Sequence, residues 1–288
     1  MKEDFKENIK LIKEEEEAIA DDLQVAMTLG DIYFHGSLDV VRDYREAFFW
    51  YKKAAEMGSL DATFNLGYLY FNGLGIQRDR KKALEWYMKA AEPGNAKAMY
   101  NIGNIYSNGL GVSQDHEKAL GWYKKAAELG DVQACSDIGV AYAEGMGVEQ
   151  DLEEAVIWYK KAAHGGNATA MVNLGYMYSK GFGITKNNQK QIYWLKKAIE
   201  LGSVEAMFNL ACVYYKGAGL NQDFKEAFYW YQRAAELNHP VSWFNLGYMY
   251  QKGEGVNRDL EKAKHWYKKA AMAGDFRAKL ELSSLIEQ

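Results

Sequence analysis

Two cysteines and two prolines in 288 residues exclude a good deal. Cys135 and Cys212 share no motif and no regular spacing, so a disulfide framework is ruled out and buried, reduced thiols are expected. Prolines occur only at Pro93 and Pro240, and no Ser-, Pro- or Gln-rich stretch interrupts the chain. No linker is therefore expected within it. Runs of about 18 apolar residues are missing too, which excludes membrane insertion. Residues 1–22 lack the apolar segment of a signal peptide, so a cytoplasmic location is expected. Nor is there an excess of basic charge: 35 basic and 39 acidic residues give a net −4. Without a basic stripe there is no surface to track phosphates, and nucleic acid is not an expected partner.

What is present is a period. Trp50, Trp86, Trp122, Trp158, Trp194, Trp230 and Trp266 stand 36 residues apart without a slip. A fixed period of about 20–50 residues marks a solenoid. Each unit is too small to bury its own apolar face and must stack on its neighbours. The period therefore favours an elongated scaffold over a compact enzyme.

One repeat, residues 61–94, shows the frame. Ala62, Leu66, Leu69 and Tyr70 recur at helical spacing, with Gly67 among them. Glycine inside a helix costs about 1 kcal/mol against alanine, so Gly67 and its counterparts Gly103, Gly139, Gly175 and Gly247 (Ala211 in one repeat) predict a close approach by a neighbouring helix. Gly73 and Gly75 suit a left-handed helix end and a tight connection. Asp79 then takes an N-cap position, repeated by Asp115, Asp151, Asn187, Asp223 and Asp259. A second helix follows with the stripe Ala83, Trp86, Tyr87, Ala90 and Ala91, in which Trp and Tyr are expected to fill the space between layers. Gly94 ends it, with Gly58, Gly130, Gly166, Gly202 and Gly274 in the same role. Seven such pairs are counted. A terminal helix over about 276–286 follows, burying Ala278 and Leu282 and exposing Glu281 and Ser283. Residues 3–22 read as a charged helix with a thin apolar edge.

Written out as A-x-x-N-L-G-x-x-Y-x-x-G-x-G-V…D…A…W-Y-x-K-A-A-x-x-G, the frame resembles the Sel-one-like repeat family, relatives of tetratricopeptide repeats. The resemblance covers residues 23–288. It implies an all-α fold, a right-handed α-solenoid or superhelix of antiparallel helix pairs: seven repeats plus a C-terminal capping helix. The domain boundaries expected are thus 1–22 for an N-terminal helix or cap and 23–288 for the solenoid. It also implies the role of an adaptor that holds other proteins. Some secreted bacterial members carry a cysteine pair in every repeat and have been associated with β-lactamase activity or penicillin binding; this chain lacks those pairs.

Motifs of catalysis do not assemble. Gly-x-Gly occurs six times, as at Gly109-Leu110-Gly111, but after a helix and without the third glycine of a phosphate-binding fingerprint. His35, His116, His164, His239 and His265 show no metal-ligand spacing, and no serine is followed three residues later by lysine. Acid pairs such as Glu153–Glu154 lie where a helix begins and complement its dipole. The recurring Lys-Lys pairs, such as Lys124-Lys125, read as a solvated outer face. No catalytic residue, cofactor or metal is expected.

The remaining face of the first helix is free to bind. About 100° per residue sets Phe64, Asn65, Tyr68 and Phe71 opposite the apolar stripe. In tetratricopeptide-like superhelices that face lines the concave groove. The same places along the chain give Tyr100, Asn101 and Asn104; Ser136, Asp137 and Glu144; Asn173, Tyr176 and Lys180; Phe208, Asn209 and Tyr215; and Phe244, Asn245 and Tyr248. Amides offer donor and acceptor together and suit an extended peptide backbone; exposed aromatics add apolar area at little entropic cost. The asparagines serve equally well to tie one repeat to the next, and the sequence leaves both roles open. The function expected is a non-catalytic interaction scaffold, monomeric, binding a peptide segment or partner domain. Two alternatives are a β-lactam or cell-wall-acting enzyme, and an architectural subunit docking through its ends.

Overall fold

Short polar side chains begin most of the helices and left-handed glycines end a third of them. The computed structural model describes residues 22–37 and 40–286; of the helix expected over 3–22, residues 3–21 lie outside these and Asp22 is the N-cap of the first described helix. Fifteen α-helices and no strand occur among the described residues. They are α1 (Leu23–His35) and α2 (Tyr44–Glu56), α3 (Leu60–Asn72) and α4 (Arg80–Ala91), α5 (Ala96–Asn108) and α6 (His116–Glu128), α7 (Val132–Glu144) and α8 (Leu152–His164), α9 (Ala168–Lys180) and α10 (Asn188–Glu200), α11 (Val204–Lys216) and α12 (Phe224–Glu236), α13 (Pro240–Lys252) and α14 (Leu260–Met272), then α15 (Phe276–Ile286). The chain divides into two compact units. One holds the residues up to Ala134 with Met146–Val148, the other Cys135–Gly145 with the residues from Glu149 on.

The cap positions read from the sequence hold. Asp79, Asp115, Asp151, Asn187, Asp223 and Asp259 each accept from free amides in the first turn of the second helix. Asp43 does the same for α2. Each such cap is worth about 1 kcal/mol. The first helices have caps of their own that the frame did not announce: Ser59, Asn95, Asn167 and Ser203. Gly73, Gly109, Gly181, Gly217 and Gly253 end their helices in the left-handed region. At the last inter-repeat turn the expected glycine is replaced by Asn238, with φ 63°, the residue that tolerates this conformation next best. Connections within a repeat are pinned by one recurring bond. The cap residue's amide donates back to a tyrosine carbonyl of the first helix, as from Asp79 to Tyr70 at 2.9 Å and from Asp115 to Tyr106 at 2.9 Å.

Packing corrects the reading of the Trp-Tyr pair. The tyrosine, not the tryptophan, is the anchor. Tyr51, Tyr87, Tyr123, Tyr159, Tyr231 and Tyr267 are all buried. Among the tryptophans of the period only Trp50 is; Trp86, Trp122, Trp158, Trp194, Trp230 and Trp266 are half-exposed. Neighbours on a helix differ in direction by about 100°, so outside the first repeat, where Trp50 and Tyr51 are both buried, one of the pair faces inward and the indole leans outward. The indole is instead covered from outside. Lys89 Nζ lies 4.3 Å from the centre of the Trp86 ring, and Lys125 Nζ 4.2 Å from that of Trp122. Lys53, Lys161 and Lys269 lie over Trp50, Trp158 and Trp266 in the same way, so the second lysine of these Lys-Lys pairs is a cation laid over an aromatic face, whereas Lys197 pairs with Glu200 at 2.7 Å. Trp158 Nε1 donates to Glu154 one turn back at 2.8 Å.

The helical glycine has a partner more specific than a neighbouring backbone. A Cβ on Gly67 would come within 2.7 Å of the Tyr87 ring, and one on Gly103 within 2.5 Å of Tyr123. Gly30, Gly139 and Gly247 face Tyr51, Tyr159 and Tyr267 in the same way. The glycine makes room for the anchoring ring. Gly175 differs: its repeat carries Leu195 instead of tyrosine, and the nearest atoms are 3.5 Å or more away. The second glycine of each Gly-x-Gly also has a packing role. Gly75 lies against the Tyr44 carbonyl and Gly255 against that of Phe224, each in the first turn of the preceding repeat's second helix. At the C-terminus Ala278 is buried and Ser283 exposed as expected. Glu281, expected in solvent, is half-buried and accepts from Gln251 at 3.2 Å.

Candidate functional site

None of the fifteen residues expected to line the groove is buried among the described residues. Tyr68 and Tyr176 are exposed, and Phe64, Asn65, Phe71, Tyr100, Asn101, Asp137, Asn173, Phe208, Asn209, Tyr215, Phe244, Asn245 and Tyr248 are half-buried. Ser136, placed on the same face, is buried at 1 % exposure. It sits where other repeats have Phe64, Tyr100, Phe208 or Phe244, and those rings explain the position. Each packs on the anchoring tyrosine of its own repeat, with centroids 5.6 Å apart for Phe64 and Tyr87 and 5.7 Å for Tyr100 and Tyr123. Phe208–Tyr231 and Phe244–Tyr267 repeat the contact at 5.9 and 5.6 Å. These aromatics are therefore half wall and half core.

The wall closes around recesses that recur at fixed places in the frame. In the first unit Tyr68, Phe71, Asn72, Tyr87, Asn101 and Asn104 line a cavity of about 130 Å³. Two periods further on, Val140, Ala143, Glu144, Tyr159, Asn173 and Tyr176 line one of about 570 Å³, which also reaches Phe182. Three periods on, Tyr176, Ser179, Lys180, Leu195, Asn209 and Cys212 line one of about 250 Å³. Each recess is formed by the first helix of one repeat, the anchoring residue of its second helix and the first helix of the next. Asn104 was expected on this face and Cys212 only as a buried thiol, while Leu195 and Phe182 were not singled out from the sequence. Leu195 was legible as the single break in the Trp-Tyr pair.

The tyrosine hydroxyl forms the floor and sets the electrostatics. Tyr123 donates to Asn104 Oδ1 at 2.7 Å, Tyr51 to Asp31 at 2.8 Å and Tyr267 to Gln251 at 2.7 Å. Tyr87 is hydrogen-bonded to Asn101 and Tyr159 to Asn173. In those two repeats the asparagine ties its helix to the preceding repeat. Where leucine stands at 195 no such tie exists, and Asn209 turns to Glu205 at 3.4 Å. Burial raises the pKa of Tyr51, Tyr87, Tyr159, Tyr231 and Tyr267 above the ordinary tyrosine value, with the Asp31 carboxylate adding to it at Tyr51. Cys212, expected to be buried, is half-buried at the recess wall. Burial raises its pKa, so the thiol stays protonated. Tyr215 donates to Glu254 at 2.8 Å, and Lys252 lies 5.7 Å from the Tyr248 ring centre.

Among the described residues no three His, Cys, Asp or Glu side chains gather as a metal site. No helix there is long and apolar enough to cross a membrane. The Sel1 repeat model matches residues 26–59, 60–95, 96–131, 132–167, 168–203, 204–239 and 244–275. The chain belongs to the Sel1 repeat family. Its repeats match the helix pairs seen here one for one, and Sel1 repeats are in general protein-interaction scaffolds.

Solved structures agree. A Sel1 repeat protein from Oxalobacter formigenes is 33% identical, with a TM-score of 0.81 over 98% of this chain and 80% of that one. A protective antigen of uropathogenic Escherichia coli with the same repeat fold is 33% identical, with a TM-score of 0.78 over 91% of this chain. The match spans only 56% of that antigen's length. Yeast Tom70, at 16% identity and a TM-score of 0.54, shares the fold alone. No curated protein matches the chain.

Proposed function

We propose that the chain is a non-catalytic scaffold that binds an extended segment of another protein through the recesses of its repeats. One observation carries this: the same frame positions enclose a recess in three separate places, and the chemistry of the lining changes from one to the next. A fold whose repeats served only to stack would have no need of half-open polar cavities with exposed tyrosines at their rims. The first recess is neutral and aromatic, the second carries Glu144, and the third carries lysines. Within the second unit, the adjoining subsites with Glu144 and with the lysines share Tyr176 and suit a peptide whose side chains enter in turn. Tyr68 and Tyr176, 39% and 52% exposed, offer apolar area to it. An intracellular monomer is part of the same reading.

The test begins with a partner recovered on the immobilised chain and reduced to its shortest binding segment. Tyr68→Ala with Tyr176→Ala should weaken that segment at least tenfold, about 1.4 kcal/mol, while the melting temperature holds. Full affinity in the double variant would show that the segment binds elsewhere, as the end-docking alternative requires. Hydrolysis of a chromogenic β-lactam by the purified chain would favour the enzyme alternative instead.

A further inference from the structure

The fifth repeat breaks the frame at one residue, and the recess beside it changes character. Leu195 stands where the other six repeats have tyrosine. The cavity beside it is about 250 Å³, against about 130 Å³ where Tyr87 is present and about 570 Å³ where Tyr159 is, so its lining and not its size sets it apart. Gly175, which elsewhere would be filled by the ring, has nothing closer than 3.5 Å. Three lysines, Lys180, Lys186 and Lys216, line this cavity, and no aspartate or glutamate does. None of the three takes part in an ion pair among the described residues. Cys212 is held protonated by burial and adds no negative charge. Glu205 lies outside the lining, with one carboxylate oxygen 3.3 Å from His239 Nε2 and the other accepting a long bond from Asn209 at 3.4 Å, which leaves the second Asn209 amide hydrogen free for a ligand.

Like charges gathered in a concavity focus their field and draw in an anion. The lining also supplies apolar area at Val172, Leu195 and Val213, and amides at Gln191 and Asn209. An inorganic ion would use only the charges. A carboxylate on a short alkyl stem would use all three. We propose that this cavity is the subsite for an acidic side chain, glutamate or aspartate, of the bound segment. The lysines supply the charge, Asn209 and Gln191 donate to the carboxylate oxygens, and the stem rests on Leu195. The proposal rests on the scaffold reading and gives it a polarity: the acidic residue of the segment lies at the junction of the fifth and sixth repeats.

Glutarate is a probe for that chemistry, with glutaramide as its neutral analogue and inorganic phosphate as the rival anion. NMR titration of the full chain should show saturable shifts at the Asn209 and Gln191 side-chain amides with glutarate, weaker ones with phosphate and none with glutaramide. Leu195→Tyr restores the ring that the neighbouring glycine has room for, so the fold should persist and glutarate, deprived of the Leu195 floor, should bind at least tenfold more weakly. Lys180→Gln with Lys216→Gln leaves the cavity open and should weaken glutarate at least tenfold. Equal binding of glutarate and glutaramide, or unchanged glutarate binding in both variants, would overturn the subsite. Tighter binding of phosphate than of glutarate would overturn its assignment to a carboxylate. A partner segment that binds the Leu195→Tyr chain at full strength would sink this subsite alone. One indifferent to loss of Tyr68 and Tyr176 would sink the scaffold reading.

Discussion

At the residue scale, the Trp-Tyr pair separates two side chains of similar size by their environment. Tyr159 is 4% exposed and packs against Gly139, while Trp158 is half-exposed and lies under Lys161 at 5.0 Å. Tyr159→Ala should destabilise by about 3–5 kcal/mol, the usual cost of truncating a buried aromatic with its cavity. Trp158→Ala should cost roughly half of that or less, since less area leaves water. Denaturant melts of the two variants settle the order, and a larger effect at Trp158 would reverse the assignment of the faces. The asparagines divide in a similar way. Asn173→Ala strands the buried Tyr159 hydroxyl, a loss of about 1–3 kcal/mol. Asn209→Ala strands nothing buried and should stay within about 0.5 kcal/mol. Its effect should appear in binding affinity instead.

At the element scale, the helical glycine is a lock for one kind of ring. A methyl group on Gly139 would lie 2.6 Å from the Tyr159 ring, so Gly139→Ala should cost about 1–3 kcal/mol by overpacking. Gly175→Ala faces Leu195 with ordinary contact distances. There alanine's better helix propensity should prevail, raising stability by up to about 1 kcal/mol. Melting temperatures moving in opposite directions are the expected result. A loss at both positions would mean that the glycine answers to backbone approach, as the sequence alone suggested, and not to the ring. The cap residues belong to the same scale: they were legible because the bond from cap to amide spans only two or three residues of chain. Recess-lining residues were legible only in part, because a recess needs three helices.

At the scale of the whole molecule, five buried tyrosines couple stability to alkaline pH. Each has its pKa raised in the folded state, chiefly by burial. A raised folded pKa means that the stability is fully present below the unfolded value, about 10, and is lost as pH rises above it. Above pH ~10 the unfolded chain sheds protons that the folded chain retains, so unfolding should steepen there. Tyrosinate absorbance of the buried set should rise together with loss of helix. If all the tyrosines titrated near their ordinary value with the helical signal intact, the anchoring rings would have to be accessible to water.

The sequence by itself determined the period, the helix pairs and the ends of the second helices. All of these rest on contacts between residues close in the chain: a cap and its amide, a glycine at positive φ, an apolar stripe on one helix. It did not determine which aromatic of each pair faces inward. Trp86 and Tyr87 are both large, both periodic and one residue apart, and local preference does not distinguish them. Packing did, because the space left by Gly67 fits the ring of Tyr87. The sequence likewise showed leucine at 195 without showing its consequence. That consequence exists only where α9, α10 and α11 meet, in a cavity that Leu195 lines in place of a ring and that three lysines surround.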